Sequence, residues 1–310
     1  MVTLTSPKQQ PTEQLKDWYL CFAGFTSAFV SDVFDSYLQS ANFVVDPWNG
    51  TGTTTAIATQ KNIRSMGIDV NPALSIVARA RQLPKSLAPA LIPIATEITD
   101  IAKRTVPTQR ECEPLSDCMG PTATNEIRKF QRAIHMVTAT DDNLEIDLSM
   151  GDELATSRLP LLTAFFYTVL FAVAVDLLRR FRGSNPTWIV APSSHHRRLR
   201  PSAAIIRANF FERTGYLCSR LHVTKSDPSE LANIRMGRAL DMLSYRHSFD
   251  ACLASPPYAT RIDYIKCMLP ELAKLGLSAK AIADLRQHTT GTPIVRGVHT
   301  VDSIGNYCLE

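Results

Sequence analysis

A doubly wound α/β fold, with helices covering a mainly parallel sheet, is what the sequence predicts, and three observations carry it. Residues 43–45 (Phe-Val-Val) are a short apolar run ending in Asp46, followed by a turn-forming, hydroxyl-rich segment with glycines at 50 and 52. A helical pattern begins at Thr53, with Ala56, Ile57 and Gln60 on successive turns. A second apolar run, residues 66–70, carries an acid, Asp69, at its tip, and Pro72 then opens another helix, where its missing N–H costs nothing. Strand, tight loop, helix and strand with an acid at its mouth is the opening unit of a sheet built to hold a nucleoside-containing ligand.

Each group in this unit has a chemical use. Gly50 and Gly52 have no β-carbon, so a ligand can lie against the backbone and the chain can adopt positive φ. The helix starting near Thr53 points its free N–H groups at the loop. Asp69 stands where a carboxylate can accept two ribose hydroxyls. The loop is not the full G-x-G-x-x-G of dinucleotide folds, because Thr51 separates the two glycines and threonines follow. A helix cap with a tight turn is the plainer reading of the same residues.

Composition bounds the rest. The chain has 310 residues, 45% apolar and 20% charged, enough for one good-sized core or two small ones. A net charge of +4 and a pI near 8.7 permit a nucleic-acid partner without requiring one. Seven cysteines, at 21, 112, 118, 218, 252, 267 and 308, lack paired spacing, which argues against zinc and for free thiols in the cytoplasm. No signal peptide is visible. Residues 163–178 are the most apolar stretch, too short for a membrane span and interrupted by Asp176, so they read as a buried helix.

In chain order, residues 1–17 are a polar arm, and residues 18–82 form the ligand-binding half of the sheet. A helical pattern at Phe29, Val30, Val33, Phe34 and Tyr37 precedes the first strand. Residues 83–186 interrupt the sheet pattern and are too long for a connecting loop, so they read as an inserted, mainly helical region. They hold Pro84, Pro89 and Pro93, a helical stretch at 125–137, acids at 141, 142, 145 and 147, and the buried helix at 159–181. The second half of the sheet domain, residues 187–297, starts with a strand-like run at 187–190. His195, His196, Arg197, Arg198 and Arg200 follow in the most basic stretch of the chain, suited to nucleic-acid phosphates or else a solvated loop. A helix at 203–223 leads to Asp227, and residues 298–310 are a tail.

Two motifs carry a resemblance. Asp46-Pro47-Trp48-Asn49-Gly50-Thr51-Gly52-Thr53-Thr54 resembles the D-P-F-x-G-x-G-T-T cofactor loop of the DNA amino-methyltransferases, and Gly67-Ile68-Asp69-Val70-Asn71-Pro72 resembles the G-I-D-x-N-P that follows it. Far downstream, Ala254-Ser255-Pro256-Pro257-Tyr258 is similar to their T-S-P-P-Y catalytic loop. The resemblance covers residues 22–297, and Trp48 departs from the usual Phe, aromatic for aromatic. It implies a Rossmann-like sheet that binds S-adenosylmethionine, with double-stranded DNA as partner and the target base flipped out. Thr26 or Ser27 then bonds the methionine carboxylate of the cofactor, or simply caps the helix. Asp227 bonds the adenine amino group, or caps the helix after it.

The catalytic loop has a physical logic of its own. Consecutive prolines stiffen the backbone and remove two N–H donors, leaving carbonyls that only accept. An exocyclic amine needs such acceptors: the Ser255 hydroxyl and the Pro256 carbonyl hold its hydrogens while Tyr258 stacks on the base. No cysteine nucleophile and no metal are required, because the methyl group is already activated. A rigid turn at a strand end is the plainer alternative. Serine at the first position resembles the enzymes that make N4-methylcytosine, with adenine N6 as runner-up.

Arg261, Asp263 and Tyr264 resemble an extension of that subfamily's motif, Arg261 contacting phosphate or pairing with Asp263. The family's sheet has seven strands, and the sequence up to Tyr258 provides four. The expectation is therefore an incomplete sheet, either a truncated product or one finished by a second chain or by a homodimer, with no membrane involved. Competing readings are a cofactor-binding subunit without turnover, an RNA amino-methyltransferase and, furthest, a nicotinamide dehydrogenase.

Overall fold

The computed structural model of the chain describes residues 4–7, 18–19, 24–107, 113–138, 153–181, 192, 197–223, 228–245, 248–257 and 263–289. Its frame is a four-stranded sheet of β1 (Phe43–Asp46), β2 (Arg64–Asp69), β3 (Ala232–Met236) and β4 (Ala251–Cys252), in the order β3-β2-β1-β4 and parallel throughout. The chain winds from β1 through β2 to β3 on one side, then returns to the other side of β1 for β4. The reversal leaves a crevice at the C-terminal ends of β1 and β4, where open α/β sheets take their ligands. Rossmann-like topology thus follows from strand order as well as from local pattern.

Three helices in the first half of the chain flank the sheet: α1 (Ser27–Tyr37), α2 (Thr53–Gln60) and α3 (Pro72–Ala80). α2 is threonine-rich yet buried from Thr53 to Thr59. It tolerates this because its hydroxyls are bonded: Thr55 Oγ1 to Gly52 O at 3.2 Å, and Thr59 Oγ1 to Gln82 Oε1 at 2.8 Å. α3 starts with Asn71 as N-cap, its side chain accepting from Ala73 N, and with Pro72 in the first turn. Its alanines at 73, 78 and 80 are fully buried, small enough for close approach on several sides.

Gly52 shows how tight the approach is. Its φ is +78°, and a Cβ there would stand 2.8 Å from Ala78 Cβ and 3.0 Å from Ala78 Cα. Gly50, at φ +52°, has no atom nearer than 3.9 Å to such a Cβ. Gly50→Ala therefore costs about 1 kcal/mol of backbone strain, whereas Gly52→Ala adds overpacking and costs about 2–4 kcal/mol in denaturant unfolding. Equal losses for the two variants would refute this assignment.

The principal core is helical. It lies among α3, α4 (Ala88–Arg104), α5 (Pro121–Thr138), α7 (Leu161–Leu178), α8 (Ala203–Cys218) and α10 (Leu269–Leu275), with a short α6 (Glu153–Arg158) beside β3. α7 is long and apolar enough to cross a membrane, but two thirds of it is buried inside the protein, against α3, α5, α8 and α10. Its apolar residues on all sides reflect that central position. Arg128 on α5, almost fully buried, donates to Glu113 at 2.8 Å and to the carbonyl of Ala273 at 3.0 Å, tying α5 to α10.

Several elements differ from the sequence reading. The run at 187–190 lies outside the described residues; β3, at Ala232–Met236, had no signal in the sequence reading and is preceded by a single turn, α9 (Pro228–Leu231). α4 forms across both prolines: Pro89 falls in its first turn, where N–H groups have no helical partners, while Pro93, the sixth residue, lies inside the helix at the cost of one backbone bond. A 3₁₀ turn at Lys266–Met268 leads into α10. Ser278 caps α11 (Ala279–His288) by accepting from Ala281 N.

Candidate active site

Two acids, the buried Asp46 and the part-buried Asp69, anchor a pocket at the crevice. Asp46, at the end of β1, accepts from Trp48 N at 3.0 Å, and burial pushes its carboxyl up to about 7 against the pull of the Thr54 hydroxyl and the Trp48 N–H. Asp69, at the end of β2, accepts from Gly50 N and Asn71 N, each at 2.9 Å. One carboxylate thus holds both loops that follow the first two strands. Burial raises Asp69 to about 6.

The loop after β1 is braced at several points. Asn49 N donates to Ile68 O at 2.9 Å, and Asn49 Oδ1 accepts from Thr55 Oγ1 at 3.2 Å. The Asn49 side chain lies over Gly67, where a Cβ would come within 2.3 Å of its Cγ, so the glycine of the second motif makes room for the first. Arg81 Nη1 donates to Thr51 O at 3.3 Å and Thr53 Oγ1 at 3.2 Å. The buried nitrogens Trp48 Nε1, Asn49 Nδ2 and Asn71 Nδ2 have no hydrogen-bond partner among the described residues, and all three side chains belong to residues that line the pocket. Buried donors without acceptors are costly, and a ligand rich in acceptors removes that cost.

The loop after β4 closes the opposite wall. Leu253 N donates to Val45 O at 3.0 Å, and Thr54 Oγ1 donates to Leu253 O at 3.4 Å, which joins the two motif loops. Ser255 and Pro257 line the same pocket as Asp46, Pro47, Trp48, Gly50, Thr53, Thr54 and Asp69. Pro256 is exposed and does not line it. Tyr258 lies outside the described residues.

Other expected site residues fall elsewhere. Gly52 does not line the pocket; its missing β-carbon serves helix packing against Ala78. Thr26 is the N-cap of α1, accepting from Phe29 N at 3.1 Å and donating to Ser6 O at 3.0 Å, and Ser27 is the first residue of the helix. At this edge the pocket wall is Gly24 and Phe25. Asp227 lies outside the described residues; because β3 begins only at Ala232, the residues that follow this strand at the pocket are Gly237, Arg238 and Ala239. His195, His196 and Arg261 are also outside the description. Arg197, Arg198 and Arg200 flank Leu199, which bridges to Met119 at the start of α5, and none of the three lines the pocket.

Residues that sequence reasoning did not place complete the wall: Asn71, Leu74, Arg238, Tyr264, Ile265, His288 and Thr289. Tyr264 carried a signal in the motif extension; His288 and Arg238 carried none. An ion pair brings the last four together. Asp263 is buried, accepts from Arg286 Nε at 2.8 Å, and caps the following turn by accepting from Lys266 N at 2.9 Å. Arg286 is therefore a partner of Asp263 among the described residues, and Arg261 lies outside them.

No family model matches the chain, and no solved structure matches it significantly. The chain is similar to Type II methyltransferase M.BsoBI of Geobacillus stearothermophilus, with 23% identity over a 303-residue alignment. The match takes in 92% of this chain, so the likeness runs through the helical layer as well as the sheet, and 57% of that protein. The chain therefore spans little more than half the length of the curated relative it matches, to which it is a distant homologue.

Proposed function

From that distant homology we propose that the chain is a DNA methyltransferase, or a subunit of a split one, that moves a methyl group from S-adenosylmethionine to the exocyclic N4 of cytosine. The observation that carries the reading is that the loops after β1 and β4, far apart in sequence, line one pocket at the topological switch point, which Asp69 at the end of β2 also lines. The residues present fit the cofactor: acceptor-hungry buried donors at Trp48 and Asn71, and two carboxylates for hydroxyl and cationic groups.

When bound, S-adenosylmethionine supplies a methyl group already activated on a sulfonium. Asp69 spends two of its roughly four acceptor positions on Gly50 and Asn71, leaving about two for the ribose hydroxyls. Asp46, held by Trp48 and Thr54, puts a second carboxylate beside the loop for the cationic end of the cofactor. Ser255 on the pocket wall and the carbonyl of the exposed Pro256 beside it accept the two hydrogens of an exocyclic amine that enters from the solvent side and orient its lone pair, while Tyr258 stacks on the flipped base. Arg197, Arg198 and Arg200, with His195, His196 and Arg261, contact DNA phosphates. β4 has two residues and no outer neighbour among the described strands, an edge that a second chain or a homodimer partner covers.

The acids give this reading a pH signature. Burial raises both folded pKa values above the unfolded 3.8, so the neutral forms favour the ligand-free fold. The contribution of these two groups to unfolding free energy accordingly falls as pH rises from about 4 to about 7. Cofactor binding requires the anions, so affinity rises over the same interval and levels off above it. Below pH 6 we expect roughly a tenfold loss per pH unit from Asp69 alone, read by calorimetric titration between pH 5 and 8. Affinity independent of pH in that window would remove the carboxylates from the binding site.

Methyl transfer from labelled cofactor to unmethylated duplex DNA, followed by nucleoside analysis, tests the function, using the chain alone and with its co-purifying partners. N4-methylcytosine is the expected product. N6-methyladenine would shift the base assignment, and cofactor binding without product under either condition would make the chain a catalytically silent subunit.

A further inference from the structure

A second cavity opens at the opposite ends of the same strands, where β1, β2 and β3 begin and α3 ends. Two of its lining residues, Ser65 (2% exposed) and Gln82 (3% exposed), carry polar atoms with no hydrogen-bond partner among the described residues: Ser65 Oγ and Gln82 Nε2. One end of the Gln82 amide meets Thr59 Oγ1 at 2.8 Å, and because that hydroxyl also reaches Thr55 O at 3.0 Å, an anion in the cavity selects the flip that turns the amide N–H toward it. Beside them stands Arg79. Its guanidinium donates to Leu159 O at 2.9 and 2.6 Å and to Ile234 O at 3.4 Å, three of its five N–H groups.

Those partners are neutral carbonyls, and no carboxylate pairs with Arg79 among the described residues. Burial alone lowers its pKa to about 10, the mark of a cation partly stripped of water. A buried charge lacking a counter-ion is unfavourable. Arg64 adds a second cation, its guanidinium 5.0 Å above the Phe43 ring, against an exposed Glu230 as the acid among the described lining residues. The arrangement offers a hydroxyl, an amide N–H and guanidinium donors under net positive charge, the complement of an oxyanion.

We propose that this cavity is a binding site, separate from the candidate active site, for the phosphoryl or carboxylate group of a small molecule, held by Arg79, Ser65 and Gln82 with Arg64 at its rim. The proposal does not depend on the methyltransferase reading, because none of these residues lines the other pocket.

The test is thermal unfolding of the full chain titrated with sodium phosphate, and separately with sodium acetate, at ionic strength fixed by chloride. A saturable rise in Tm with one or both anions, beyond the chloride control, is expected; phosphate alone marks a phosphoryl site and acetate alone a carboxylate site. Arg79→Met is expected to raise the apparent Kd at least tenfold. Because Arg79 also holds Leu159, Gln82→Glu provides a second variant of nearly unchanged shape that repels the anion, with the same expected loss. Asp69→Ala, in the other pocket, should leave the Kd within twofold. No saturable shift over chloride, or a shift that Gln82→Glu and Ser65→Ala leave intact, would show a water-filled cavity and overturn the proposal.

Discussion

Asp69→Ala should weaken S-adenosylmethionine binding by more than 100-fold while leaving a folded protein. The carboxylate accepts from Gly50 N and Asn71 N, so its loss frees both loops at once and removes the acceptors assigned to the ribose. Hydrogen bonds to a charged group contribute about 1.5–3 kcal/mol each, and losing two exceeds the roughly 3 kcal/mol that corresponds to 100-fold. Folding survives because the acid is held above its usual pKa by burial, so its removal also relieves a desolvation cost. Calorimetric titration, with denaturant unfolding as the control for structure, measures both sides. Wild-type affinity in a folded variant would take Asp69 out of the cofactor site.

Ser255→Ala should separate chemistry from binding. Ser255 lines the pocket, with β1 between its strand and that of Asp69, and its hydroxyl is assigned to the exocyclic amine alone, so cofactor affinity should stay within about twofold. Turnover should drop by about 10²–10³, the range for deleting one hydrogen-bonding group that positions or stabilises the reacting centre. The rigid prolines beside it keep the loop in place, so the loss is not a folding effect. Single-turnover methyl transfer at saturating cofactor checks this; a drop below threefold would assign Ser255 to the wall of the pocket and not to the reaction.

The parts legible in the sequence are those whose signals are local. Phe43–Asp46, Thr53–Gln60, Arg64–Asp69 and Pro72–Ala80 each have an apolar run or helical period bounded by glycine, proline or asparagine, and the structure ends them within a residue or two of the expected places. β3 was missed because Ala-Asn-Ile-Arg-Met has an exposed Asn233 and a charge, as an edge strand can, and pairs only with a strand distant in sequence. α4 was hidden by prolines that happen to sit in its first turns.

Within the candidate site, the motif loops were legible but their internal division of labour was not. Gly52 reads as a place for a ligand, yet its neighbour is Ala78, a packing fact set by the following helix. Gly67 reads as part of a motif, and its reason is the side chain of Asn49, eighteen positions earlier. Asp263 takes Arg286 of α11 as a partner, 23 positions away, which no local pattern announces. His288 and Arg238 reach the pocket through tertiary packing alone, and no local pattern announces such residues.

The structure of the chain bound to S-adenosylhomocysteine, the demethylated product, tests the central claim most directly. The account predicts the ribose on Asp69, the loop at Gly50 against the ligand and the sulfur turned toward Ser255. Ligand density away from residues 50–53 and Asp69 would contradict it, whatever methyl transfer the preparation showed.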